Sequence, residues 1–278
     1  MEGIIIKNIS NDYLVKSGNN EYICRPRGKF RNMKLIPLVG DKVIFDEGKK
    51  YLLEIKSRKN SLIRPSVANV DQAVIVSSVK KPDFDANLLD KLLTIISFNN
   101  VEPVICFTKL DLLNSDERIE IDKYIDYYKK VGYVVVTNED KTNFKDLFRN
   151  KITVLTGQSG AGKSSLINLL DSNLNLKTDE ISFALNRGKH TTRHTELYEL
   201  LGGYIVDTPG FSSVDFREMA VSDIRDNMKE MFDNLHYCKY RDCMHIKEDG
   251  CYVREKVLSG DILISRYDNY KSFIDSKK

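Results

Sequence analysis

Residues 151–170 open with the apolar run Lys151-Ile152-Thr153-Val154-Leu155-Thr156. They turn through Gly157-Gln158-Ser159-Gly160-Ala161-Gly162-Lys163-Ser164-Ser165 and continue as Leu166-Ile167-Asn168-Leu169-Leu170. A β-type run, a Gly-x4-Gly-Lys-Ser turn and a helical apolar pattern in that order are the setting a phosphate-binding loop requires. The glycines let the backbone curl so that successive N–H groups point at phosphate oxygens, and the helix that follows adds its positive N-terminal end. In such a loop Lys163 reaches the β- and γ-phosphates and the Ser164 hydroxyl ligates Mg²⁺. The loop stands past mid-chain, so the first 150 residues need an account of their own.

A chain of 278 residues has room for more than one domain with its own core. An apolar fraction of 41% and a charged fraction of 30% are ordinary for a globular protein and argue against gross disorder. No apolar run approaches the roughly 18 residues of a membrane span, and the start, Met1-Glu2-Gly3-Ile4-Ile5-Ile6-Lys7, lacks a basic region ahead of an apolar one. A cytoplasmic monomer with no membrane partner is expected. The net charge of +3 is uneven: residues 1–65 carry fourteen Lys/Arg against seven Asp/Glu, +7, which leaves −4 for the rest. A basic small domain suits a polyanion such as RNA, and equally a solvated charged face.

Short β-type segments fill residues 3–58: Ile4-Ile5-Ile6, Tyr13-Leu14-Val15, Tyr22-Ile23-Cys24, Lys42-Val43-Ile44-Phe45 and Tyr51-Leu52-Leu53-Glu54-Ile55, with Asn/Asp/Gly/Ser punctuation between them. About five strands in sixty residues predict a small OB-like barrel. The stretch 25–34 reads as a loop that sets Arg25, Arg27, Lys29, Arg31 and Lys34 around Phe30, able to grip phosphates and stack one base. Arg64-Pro65 reads as a linker.

From Asn69 the pattern changes. Ala73-Val74-Ile75-Val76 is a continuous apolar run of the kind buried on both faces of a parallel sheet. Helical spacing follows at Leu88, Leu89, Leu92, Leu93, Ile95 and Ile96, then Val104-Ile105-Cys106-Phe107, a helical 115–130, Val134-Val135-Val136 and Ile152-Thr153-Val154-Leu155. The alternation predicts a doubly wound α/β unit holding the phosphate loop. After its second strand comes Thr108-Lys109-Leu110-Asp111. It resembles the guanine-selecting Asn-Lys-x-Asp element of GTPases, with Thr in place of Asn. The Asp111 carboxylate can accept from the N1–H and 2-amino group of guanine, and the Lys109 stem can cover a base face. Thr108 puts the contact to guanine N7 and the brace to the phosphate loop in question.

Glu196-Leu197-Tyr198-Glu199-Leu200 and Tyr204-Ile205-Val206 flank Leu201-Gly202-Gly203, a hairpin that delivers Asp207-Thr208-Pro209-Gly210. In GTPases the Asp of such a sequence holds Mg²⁺ through water and the Gly N–H senses the γ-phosphate. The polar stretch 178–195 contains Gly188-Lys189-His190-Thr191-Thr192-Arg193-His194, where Thr191 or Thr192 could close over Mg²⁺ when the triphosphate is bound. Phe211 stands where Ras-like enzymes place Gln, so water must be positioned elsewhere, by His190 or His194. Standard GTPases run phosphate loop, switch Thr, DxxG and then the guanine element, and here that element comes first. The expected domain is a circularly permuted GTPase.

Of five cysteines, Cys24 and Cys106 are isolated. Cys238-x4-Cys243-x-His245-x5-Cys251 offers three thiolates and an imidazole within fourteen residues, enough for a closed tetrahedral Zn²⁺ site with a structural role. Residues 217–235 and 261–275 read as helical.

These motifs together, in this order, resemble the RsgA (YjeQ/YloQ) family of circularly permuted GTPases over nearly the whole chain. The resemblance implies an OB-fold RNA-binding domain over 1–66, a permuted GTPase domain over 67–216 and a helical zinc-binding domain over 217–278. It implies late maturation of the 30S ribosomal subunit, GTP turnover to GDP stimulated by that subunit, contact with 16S rRNA and, of the two histidines, a catalytic role for His190. An RNA-binding assembly module that uses GTP only as a conformational ligand is the alternative, and a regulatory GTPase on a protein or membrane partner is a third.

Overall fold

The structure is a computed structural model, and it describes residues 1–63, 65–139, 144–170, 195–206 and 215–277. Among them the chain divides into two compact units, one drawn from 1–74, 139–156 and 162–206, the other from 75–138, 157–161 and 215–277.

The first unit begins with a closed barrel of five strands, β1 Glu2–Ile9, β2 Asp12–Ser17, β3 Asn20–Pro26, β4 Lys42–Asp46 and β5 Tyr51–Ile55, in the order β1-β2-β3-β5-β4. Alternation along each strand sends Ile5, Val15, Cys24, Val43, Phe45 and Leu52 fully inside. Cys24 is thus a core residue. β1 closes the barrel on β4, with Gly3 opposite Val43, and its register with β2 slips between Ile5 and Lys7, a bulge. The stretch read as a basic loop is partly ordered, with Gly28–Asn32 forming one helical turn, α1. Two short paired strands, β6 Ser61–Leu62 and β7 Val67–Ala68, lie on either side of the Arg64-Pro65 stretch read as a linker, of which Arg64 is outside the described residues.

Next comes the α/β part: β8 Gln72–Ser78, α2 Ala86–Phe98, β9 Glu102–Thr108, a 3-10 turn Leu110–Leu112, α3 Ser115–Val131, β10 Val134–Thr137, α4 Phe144–Phe148, β11 Ile152–Thr156, α5 Lys163–Leu170, and the hairpin β12 Leu197–Leu200 with β13 Gly203–Val206. In the first unit β13 lies between β11 (parallel) and β12 (antiparallel). The start of β8 is fixed beside β11, where Asp71 N–H donates to Ile152 O at 2.9 Å and the buried Gln72 carboxamide donates to Thr153 Oγ1 at 3.0 Å. In the second unit β9 runs parallel to β10, Phe107 opposite Thr137, and lies next to the end of β8. β9 is buried from Pro103 onward and accommodates Cys106 in the core. Asp85 caps α2 by accepting from Leu88 N–H at 2.9 Å, and Asn114 with Glu117 forms a capping box on α3. Gly132, at φ 95°, ends α3 in the left-handed conformation that only glycine adopts without penalty.

The second unit closes with α6 Val221–Asp226, α7 Lys229–Asp233, a 3-10 turn Leu235–Tyr237, α8 Tyr252–Leu258 and α9 Ile264–Asp275. α9 packs on α2 and α6. No helix among the described residues is long and apolar enough to cross a membrane.

Candidate functional site

The phosphate loop is shaped by its glycines. Gly157, Gly160 and Gly162 have φ of 128°, 75° and 95°. At Gly157 an added Cβ would sit 2.1 Å from Val76 O, a backbone atom of β8 that cannot step aside, so no other residue fits there. Ala161 is fully buried and its N–H donates to Gln158 O at 3.2 Å, which closes the turn before Leu166 N–H begins the ladder of α5 on Gly162 O at 2.8 Å. Lys163 is the first residue of α5, and burial lowers its ammonium pKa from the usual lysine range. A phosphate beside it would offset that penalty.

The guanine-element residues meet this loop within the second unit. Thr108 is buried, and its Oγ1 donates to Ala161 O at 2.6 Å. Lys109, at φ 64°, donates from Nζ to Gly160 O at 2.7 Å and also to Lys81 O. The brace that substitution of Asn by Thr put in question is therefore kept, by the shorter hydroxyl. Asp111 lies exposed in the 3-10 turn held down by buried Leu110, and its carboxylate makes no hydrogen bond to a described residue. That leaves it open to accept two N–H groups from a base edge.

His190, Thr191, Thr192, His194, Asp207, Gly210 and Phe211 lie outside the described residues, as does the side chain of Ser164. Ser159 and Ser165 are exposed, and Gln158 is half-buried.

The cysteine cluster forms as the spacing requires. The ligand atoms of Cys238, Cys243, His245 and Cys251 all lie within 4.8 Å of one another. His245 Nδ1 is 3.5 Å from Cys238 Sγ and 3.4 Å from Cys251 Sγ, while Nε2 is 3.1 Å from Met231 O. Nε2–H donating to that carbonyl leaves Nδ1 bare and aimed at the sulfurs, the arrangement that holds an imidazole in the ligating tautomer. Three soft sulfurs and one imidazole nitrogen converging on one point fit a tetrahedral cation with no open position. Burial pushes the Cys243 thiol up to about 12 and the His245 imidazole down to about 4, so the Cys243 thiol ionises only against a cation.

The supporting shell of this cluster gave no sequence signal. Glu248 accepts from Met244, Ile246 and Lys247 N–H at 3.0, 2.8 and 2.9 Å, and Tyr267 and Tyr270 of α9 donate to His245 O and Met244 O at 2.5 and 2.6 Å. His245 itself has φ 60°, a conformation these bonds over-determine.

On the barrel, Arg25, Arg27, Lys29 and Lys34 are exposed, and the side chain of Arg31 is outside the described set. Arg25 Nε pairs with Asp12 at 3.1 Å. Phe30 corrects the expectation of a base-stacking ring: it is 4% exposed, packed inward from α1. The Lys29 ammonium lies 5.4 Å from the centroid of the Phe30 ring, whose body serves the core.

A model of the RsgA GTPase matches residues 55–217 and one of the RsgA N-terminal domain matches residues 2–51. The chain is 47% identical over 282 residues to the small ribosomal subunit biogenesis GTPase RsgA 2 of Oceanobacillus iheyensis, covering 99% of this chain and 96% of the relative. It is 45% identical to the RsgA of Enterococcus faecalis, over 99% of this chain and 94% of that one. Among solved structures it is similar to YloQ, described as a circularly permuted GTPase, at 37% identity with a TM-score of 0.85, covering 99% of this chain and 94% of that one. It is also similar to YjeQ from Thermotoga maritima, at 31% identity with a TM-score of 0.86, covering 99% and 97%.

Proposed function

The chain belongs to the RsgA GTPase family, and from that membership we propose that it hydrolyses GTP to GDP and phosphate while bound to the small ribosomal subunit, assisting that particle's late maturation. The observation that carries the nucleotide reading is the pair of bonds from Thr108 and Lys109 to consecutive carbonyls of the phosphate loop, Ala161 O and Gly160 O, beside an unengaged Asp111. They lock the base-reading turn to the phosphate-reading turn, so one ligand must satisfy both.

In this reading the N–H groups of residues 157–165 and the Lys163 ammonium hold the phosphates, and Asp111 selects guanine through its N1–H and 2-amino group. Ser164, Thr191 or Thr192, and Asp207 hold Mg²⁺; two hydroxyls and a carboxylate are the hard oxygen donors that ion takes. When bound, Mg²⁺ neutralises charge developing between the β- and γ-phosphates. Gly210 N–H senses the γ-phosphate, and His190 positions water because Phe211 cannot. The cysteine cluster holds zinc as a structural ion. Residues 1–66, with Arg25, Arg27, Lys29, Arg31 and Lys34, grip 16S rRNA, residues 67–216 turn over GTP, and residues 217–278 form the zinc-dependent module of a cytoplasmic monomer.

The test is GTP hydrolysis with and without purified 30S subunits. Strong stimulation is expected. Tight subunit binding with no stimulation would point instead to an assembly module for which hydrolysis is incidental, and absence of both would overturn the reading.

A further inference from the structure

A cleft wholly within the first unit uses none of the residues assigned to the nucleotide. It encloses about 670 Å³ between the β1–β4 seam of the barrel, the connector 57–71, the start of β11 and the turn of the β12–β13 hairpin. Cavities of that size hold small-molecule ligands. The deep wall is formed by Asn69, Ile152 and Leu200, which are 8%, 5% and 3% exposed. Backbone bonds fix it, Asn150 N–H donating to Gly202 O and Tyr204 N–H to Lys151 O, both at 2.8 Å. A Cβ at Gly203 would lie 2.0 Å from Phe148 O, so hairpin and chain meet backbone to backbone there. The cavity is preformed.

Its charges do not cancel. Two carboxylates line it, and each is already answered. Asp71 accepts from the Lys59 ammonium and from Ile152 N–H at 2.6 Å, and Glu199 accepts from the Lys16 ammonium at 2.5 Å and from the Tyr204 hydroxyl at 3.4 Å. Two further ammonium groups line the same space. Lys42, opposite Ile4 on the seam, pairs with no described carboxylate, and Lys151 donates only to the neutral carboxamide oxygen of Gln72, at 2.9 Å. Their positive charge is left for an anion to meet.

The hairpin supplies an apolar side. Leu200 is opposite Gly203, and the two residues between them have φ of 52° at Leu201 and 75° at Gly202. Positive φ at both turn positions is the geometry that favours Asn-Gly, and leucine is poorly suited to it. A leucine held there against its backbone preference lines the cleft beside Tyr204.

We propose that this cleft is a second ligand site, for a phosphate-bearing small molecule with a flat or apolar body of about the size of a nucleoside monophosphate. Lys42 and Lys151 take the phosphate, and Leu201 and the Tyr204 ring cover the body. A back wall closed by buried Ile152, Leu200 and Gly203 suits a compact ligand better than a polymer that must pass through. Occupancy is independent of GDP, because the phosphate loop and the 108–111 turn contribute nothing to the lining.

The experiment titrates the full chain, saturated with GDP and Mg²⁺, with uridine 5′-monophosphate, with uridine and with inorganic phosphate. One site is expected, with the monophosphate bound at least tenfold more tightly than either fragment. Lys42→Met and Lys151→Met should each weaken the monophosphate about tenfold and uridine hardly at all, and Lys151→Arg should restore most of the loss. Leu201→Asn suits the turn better, so its melting temperature should hold or rise while the monophosphate binds about fivefold more weakly and phosphate is unaffected. No binding to the GDP-saturated chain overturns the proposal, as does uridine or phosphate bound as tightly as the monophosphate, or full affinity in both methionine variants. A hexauridylate bound more tightly than the monophosphate and lost in the same variants would make the cleft part of an RNA surface and overturn the small-molecule assignment.

Discussion

A hydroxyl in place of a carboxamide at position 108 keeps the brace to the phosphate loop. Thr108 is 5% exposed and its proton goes to Ala161 O at 2.6 Å, so the residue acts on that loop. Thr108→Val, nearly the same shape, should leave the Ala161 carbonyl buried without its donor. The loss is about 1–3 kcal/mol of folding stability, and it should appear as a lowered melting temperature in a thermal melt, with GDP binding weakened because the loop is no longer held, which isothermal titration checks. The sequence assigns roles to Lys163 and Asp111 because each assignment rests on residue type at fixed spacing. It could not show the brace at 108, because Thr108 and Ala161 are adjacent only once β9 is placed. Phe30 shows the same limit from the other side. Among five cations it read as a stacking ring, yet the side of α1 it lies on, which a short irregular stretch does not announce, turns it into the core.

Elements were legible where period was strong. Strands β1 to β5, the α2 and α3 helices and the β12–β13 hairpin all carry alternation or 3.6-residue spacing together with caps and turns. The helical turn at Gly28–Asn32 and the short strands at Ser61–Leu62 and Val67–Ala68 are too brief to leave such a signal. The cysteine loop is the extreme case, since residues 238–251 contain no helix or strand of their own and are tied together by Glu248 and the hydroxyls of Tyr267 and Tyr270 around a cluster able to hold a metal ion. Dialysis of the purified protein against a zinc-selective chelator should therefore lower the melting temperature and release the amide protons of 238–251 to fast exchange while β1 to β5 stay protected. Retained protection in the loop would show that it folds without metal. The hairpin is tied to the barrel by two ion pairs, Lys7 to Glu196 at 2.7 Å and Lys16 to Glu199 at 2.5 Å, with Lys7 set just past the β1 bulge. The hydrogen bond to Glu199 raises the Lys16 pKa. These side chains are partly solvated, so Glu196→Lys should cost only about 0.2–1 kcal/mol, be relieved by Lys7→Glu in the same chain, and fade at high salt. Chemical denaturation of the two single variants and the pair measures it.

At the scale of the whole chain, sequence distance conceals what holds the second unit together. Arg266 of α9 is fully buried between Asp90 of α2, 2.5 Å from its Nη1, and Glu230 of α7, 2.9 and 3.1 Å from Nε and Nη2. Tyr127 of α3 donates to Glu230 at 2.6 Å, Tyr128 of α3 donates to Asp90, Asn269 of α9 donates to Asp90 at 2.7 Å, and Tyr133 receives Nη2 at 3.2 Å. One guanidinium thus joins the helix after β8 to the helices around the metal loop, and no motif spacing marks any of its partners. Burial raises Asp90 above its ordinary value of 3.8, and burial also works against Glu230, where the charge and hydrogen bonds of Arg266 outweigh it and hold that carboxyl below 4.5. Arg266→Met keeps the stem and removes the charge, leaving two carboxylates in a dry site. At pH 7 the loss should reach about 3–5 kcal/mol. Without the guanidinium both folded-state pKa values rise above their unfolded ones, so the variant binds more protons folded than unfolded, and its stability is lost as pH rises and regained as pH falls. The gap in melting temperature between the two proteins should therefore narrow steadily from pH 7 toward pH 5, and adding Asp90→Asn and Glu230→Gln should close much of it at neutral pH. A gap of equal size at both pH values would mean that Arg266 matters through packing of its stem alone.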